Sequence, residues 1–186
     1  MPRRRYLFDP PDRFVAGTVG DPGNRTFFLQ AREGERVISV ALEKVQVAVL
    51  AERLGEMLAE LERRGEPAVA LATLDGADTG PLDEPIVEAF RAGSLTLGWD
   101  GEDDRVLVEA RAMDEDGEAI DPDDDDDEDE DGPDLLRVRF SAADARKFIE
   151  RASRVVASGR PPCPLCGAPL DPRGHICPRR NGHLVN

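Results

Sequence analysis

Residues 1–162 contain no histidine and no cysteine; all three cysteines and both histidines lie in the last 24 residues. Cys–His and Ser–His–Asp catalytic arrangements therefore cannot be assembled in most of the chain. No apolar run approaches the ~20 residues of a membrane span. The basic N-terminus MPRRRYLFDPPDR is not followed by the apolar stretch of a secretory signal. Three cysteines are an odd count, a poor disulfide framework and a reasonable metal set. These absences predict a cytoplasmic protein with no membrane contact. Lysine and arginine are also missing between Asp114 and Asp134, where fifteen residues are acidic. Removing those fifteen from the 39 acids leaves 24, equal to the Lys plus Arg count. The net charge of −15 thus resides in one segment, and the rest is neutral. Nucleic acid is disfavoured as a partner, because phosphate neutralisation needs clustered cations. The acidic run cannot bury apolar surface and repels itself, so it reads as a disordered, solubilising insertion at about 114–134.

Strand patterns are present at residues 14–19, 25–31 and 36–41, joined by turns rich in Gly, Pro and Asp. Leu42, Val45, Val49, Leu50, Leu54, Met57, Leu58 and Leu61 then recur at helical spacing, up to Gly65 and Pro67. Residues 68–74 read as a strand, 76–85 as a loop and 85–92 as a short helix. Residues 94–99 and 105–111 form a predicted hairpin, and 135–140 a further strand. A helix starts at Ser141, with Asp144 three residues on in a variant capping box and Gly159 as its C-cap. Its stripe is Ala145, Phe148, Ile149, Ala152, Val155 and Val156. The fold class is α+β, a mainly antiparallel sheet covered on one face by two helices. A duplicated strand-strand-strand-helix unit and an ordinary α+β meander both fit this order.

The tail reads CPLCGAPLDPRGHICPRRNGH. Cys163 and Cys166 form a C-x2-C pair, whose tight turn lets two thiolates grip one metal. His175 and Cys177 form H-x-C; on an extended strand both face one side. His183 is a competing fourth ligand. The expected set is Cys163, Cys166, His175 and Cys177, a closed structural zinc site without a position for catalytic water. The predicted organisation is a body of residues 1–159 and a zinc-knuckle tail of residues 160–186. Arg160, Arg173, Arg179 and Arg180 make the tail mildly basic.

Gly17, Gly20 and Gly23 are spaced as G-x-x-G-x-x-G. A phosphate loop would open onto a helix, whereas a strand follows here, so a hairpin turn is expected. Arg13 and Arg25 remain as candidate anion ligands at strand ends. Asp9, Asp12 and Asp21 read as turn and capping residues, and Trp99 as a packed side chain.

The opening MPRRRYLFDPPDRFVAGTVGDPGNRTFFLQAREG, the segment VISVALEKVQVAVLAERLGEML and the cysteine-bearing ending together resemble an actinobacterial family of conserved hypothetical proteins. The resemblance spans nearly the whole chain apart from the acidic insertion. It implies no particular reaction, and it favours His175 over His183, because the G-H-x-C segment fits that family's tail. The expected function is a non-enzymatic binding or adaptor module that contacts another protein. The competing expectation is an enzyme or small-ligand binder, acting on a phosphorylated metabolite through an arginine-bearing end of the sheet.

Overall fold

The computed structural model describes residues 3–72, 76, 78–113, 132–159, 163–166, 170 and 177. Its seven strands are β1 (Arg5–Phe8), β2 (Arg13–Val19), β3 (Thr26–Glu33), β4 (Arg36–Leu42), β5 (Glu88–Asp100), β6 (Arg105–Ala112) and β7 (Leu135–Phe140). The helices are α1 (Lys44–Arg64), α2 (Pro67–Ala70) and α3 (Ala142–Ala157). The sheet order is β1-β7-β6-β5-β4-β3-β2. Neighbours pair antiparallel except β1 with β7 and β4 with β5, which run parallel.

The predicted repeat of element order is present as β2-β3-β4-α1 followed by β5-β6-β7-α3. The strand-to-helix junctions also correspond. Leu42-Glu43 and Phe140-Ser141 both close a strand and open a helix, and Glu52-Arg53 and Glu150-Arg151 follow at the same offset. In α1 the Gln46 side chain accepts from the Glu43 amide at 2.8 Å. In α3 the Ser141 hydroxyl accepts from the Asp144 amide at 3.1 Å. Each contact satisfies a donor that the first helical turn leaves open. Gly65, at φ 82°, ends α1 in the left-handed conformation that glycine tolerates.

Three local expectations are corrected. Within residues 68–74, expected to be a strand, the chain instead forms α2, which starts on Pro67, a residue suited to the first helical turn. Residues 85–92 form no helix; from Glu88 onward they belong to β5, paired with Ser39, Val40 and Ala41 of β4. That pairing is non-local, and a short apolar run does not announce it. The cap of α3 is Ser158 rather than Gly159. Strand β1 is an element beyond those expected, and its Tyr6 stacks on Phe90.

The sheet is strongly curled. Strands β1 and β2 stand at opposite ends of the order, about 29 Å apart if the sheet were flat. Only residues 9–12 link Phe8 to Arg13, a reach of at most about 18 Å. Consistently, Phe14 of β2 meets Phe140 of β7 with ring centroids 5.1 Å apart. Helix α3 seats between them, Phe148 stacking on Phe14 at 5.0 Å. Its Arg151 donates to the Ala16 carbonyl at 2.7 Å, which occupies an edge-strand acceptor of β2.

The main core lies on the concave face, where Leu29, Val40, Val108 and Val138 meet Val47, Leu54, Ala145 and Ala152 of the helices. On the opposite face of the first half, Val15, Phe28 and Ala41 pack under Leu82. Gln30 fixes that cover: its amide nitrogen donates to the Asp83 carbonyl at 2.9 Å and its oxygen accepts from the Asp83 amide at 2.7 Å. In the second half the same face is charged. Glu109 is 4% exposed and accepts from Arg111 and Arg137.

Candidate metal centre

Cys163, Cys166 and Cys177 come together. Their sulfurs all lie within 4.8 Å of one another, and Cys163 and Cys177 are 3.9 Å apart. A disulfide would require about 2.05 Å; all three thiols are free. Tetrahedral thiolates around zinc, at about 2.3 Å from the metal, stand about 3.8 Å from each other. The observed separation therefore suits a shared cation.

The C-x2-C turn contributes more than two sulfurs. Backbone amides of Cys166 and Leu165 point at the Cys163 sulfur and pull its pKa down to about 6. Burial works in the opposite direction, while Cys166 and Cys177 add to the lowering. The turn thus favours the thiolate, the form that ligates metal. Cys163 and Cys177 are 6% and 5% exposed, yet neither belongs to the apolar clusters of the sheet. His175 and His183 lie outside the described residues.

The two arginines expected at one end of the sheet are placed apart. Arg13 pairs with Arg32, and Val19, at the other end of β2, with Thr26, next to Arg25. The length of β2 separates them. Arg13 is held by Asp78 through Nε at 2.6 Å and Nη2 at 2.8 Å, and by Asp83 through Nη1 at 2.7 Å. Arg151 reaches the same Asp78 carboxylate at 2.7 Å and the Gly80 carbonyl at 2.7 Å. Asp78 is held below the usual carboxylate range, first by the hydrogen bond from Arg13 and then by both guanidinium charges. An anion at Arg13 must compete with two carboxylates already in place. Spacing gives no sign of this network, because Asp78 and Arg13 are 65 positions apart. Arg25 instead donates to the Ser158 carbonyl at 2.5 Å.

The G-x-x-G-x-x-G stretch spans the β2–β3 hairpin, with Gly20 at φ 101° and Gly23 at φ 97° in its turn. Asp12 accepts from the Gly34 amide at 2.7 Å, and Asp9 pairs with Arg139 at 2.6 Å.

Comparison with protein families matches residues 6–177 to the family described as "Protein of unknown function (DUF3090)". The chain belongs to that family. Neither curated proteins nor solved structures gave a match. The family match takes in all three cysteines and His175, ends at Cys177 and leaves His183 outside. Among the described residues, no helix is long and apolar enough to cross a membrane.

Proposed function

We propose that this member of the family is a non-enzymatic binding or adaptor module of the cytoplasm, whose C-terminal tail is folded by one zinc ion and engages another protein. The observation that carries this reading is the convergence of three sulfurs within 4.8 Å. A thiolate-rich donor set suits zinc, and His175 as fourth ligand closes the coordination sphere to water. The family match, ending between His175 and His183, supports that choice of histidine. Leu165 lies inside the C-x2-C turn and is 51% exposed, an apolar contact that a protein partner can cover. Residues 1–162 offer no histidine or cysteine for acid–base or nucleophilic work.

Two measurements test the reading. Elemental analysis of the purified chain is expected to give about one zinc per chain, lost in Cys163→Ser and Cys166→Ser variants. Stoichiometric zinc in both variants removes the site. Affinity capture from native lysate is then expected to recover the same protein partner with the full chain, and not with a chain truncated at Arg160. Capture unaffected by truncation would assign binding to the body and overturn the adaptor role of the tail.

A further inference from the structure

A cavity of about 540 Å³ opens at the end of the β2–β3 hairpin. It is lined by Pro22 and Gly23 of the turn, Phe27 of β3, and Val155 and Val156 of the last turn of α3. Arg25 and Lys44 also line it, and among the described residues no carboxylate does. This volume is in the range of small-ligand pockets.

Its two cations differ from most basic side chains of the body. Arg4, Arg13, Arg91, Arg139, Arg146 and Arg151 all sit on carboxylates. Among the described residues, Arg25 and Lys44 have no carboxylate partner. One nitrogen of Arg25 is committed to the Ser158 carbonyl, at 2.5 Å, and to its hydroxyl, at 3.1 Å. The Lys44 ammonium stands at the same opening, 3.9 Å from where a Cβ on Gly159 would lie. Glu43, the nearest acid in sequence, is turned away to Arg91 at 3.1 Å. Lys44 is also the first residue of α1, where the helix dipole adds positive potential.

We propose that this cavity binds a small phosphate ester, with its oxyanion between Arg25 and Lys44 and its apolar part against Phe27, Val155 and Val156. The guanidinium supplies directional donors and the ammonium a point charge. The proposal uses no residue of the metal centre, and its test does not depend on the tail reading.

The probes are inorganic phosphate and phenyl phosphate, titrated into the full-length protein at constant ionic strength and followed by calorimetry. Saturable binding is expected, tighter for phenyl phosphate because it also buries a ring. Lys44→Gln and Arg25→Met are each expected to weaken binding roughly tenfold or more, the loss of a charge-assisted contact. Arg25 also anchors the end of α3, so Lys44→Gln decides the matter alone if Arg25→Met does not fold. Absence of saturable binding overturns the site, as does binding that Lys44→Gln leaves intact. Equal affinity for the two probes overturns the apolar half of the assignment. Binding to anionic phospholipid vesicles that excess phenyl phosphate does not displace would also overturn it, by assigning a membrane surface instead.

Discussion

The body and the tail bury their side chains by different means. Leu29, Leu54, Val138 and Phe148 disappear into one apolar cluster between a curled sheet and two helices. Cys163 and Cys177 are nearly as inaccessible, yet they belong to no such cluster and are grouped sulfur to sulfur. Burial of hydrocarbon stabilises the first region through area. The second has little hydrocarbon, and on the proposed reading a metal that binds the folded arrangement and not the unfolded chain holds it together. Stability of the body should therefore depend on packing and its buried ion pairs, and that of the tail on metal supply.

The largest expected effect is on the tail. A strong chelator should remove the metal and change the tail's amide spectrum, while the melting transition of the body stays nearly where it was. Truncation at Arg160 should give the same body transition. A truncated chain that aggregates or unfolds would break the comparison, because the tail would then belong to the sheet's own packing.

The next largest effect is on the body. Glu109→Gln removes a buried carboxylate that accepts from Arg111 and Arg137. Removal of one partner from a buried ion pair costs about 3–5 kcal/mol. Chemical denaturation should show a loss of that size with zinc content unchanged. Parallel loss of zinc would show that body and tail fold as one unit.

Gly17→Ala probes the apolar cover. A Cβ at this position would stand 2.5 Å from a Leu82 methyl and 2.6 Å from its Cγ, so the Leu82 side chain or the loop that carries it must shift. An overpacked core site costs about 1–3 kcal/mol. A variant as stable as the parent chain would mean that Leu82 is not seated there in solution.

A smaller effect attaches to pH. The Asp78 carboxyl is depressed in the folded state by Arg13 and Arg151. Its contribution is present above the unfolded value near 4 and disappears as pH falls through the lower folded value. Asp78→Asn should melt lower at pH 7 and converge on the parent chain in strong acid. A constant gap between the two melting curves across that range would disprove the linkage. The smallest effect belongs to deletion of residues 115–131, expected to shift the melting temperature by no more than a few degrees at matched salt, because loop length costs little.

Legibility in the sequence followed the range of the forces. Strand β7 and the start of α3 were readable from alternation and from Ser141 with Asp144, because those signals lie within a few residues. The C-x2-C turn was readable for the same reason, as were the turn glycines between β2 and β3. Strand β5 was misread at its start, where Glu88 to Ala92 gain their conformation from β4, about 50 positions away. The arginines were misgrouped, because residues 13 and 25 are close in sequence yet occupy opposite ends of one strand pair.

Glu52-Arg53 and Glu150-Arg151 show the division most directly. Capping and helical periodicity, both local, are enough to place each pair on a helix after an equivalent strand. Tertiary structure alone decided their surroundings. Arg53 is 68% exposed and pairs with Glu56 three residues on, while Arg151 is 7% exposed and ties Ala16, Asp78 and Gly80 together. The curl of the sheet brings β2 and residues 78–80 to α3, where Arg151 binds them. Arg25 and Lys44, by contrast, meet at one opening through the β3–β4 register, which pairs Phe27 with Leu42 just inside them. Local propensity chooses helix or strand, but charge environment depends on which distant backbone arrives beside it, and that is set only when the sheet closes.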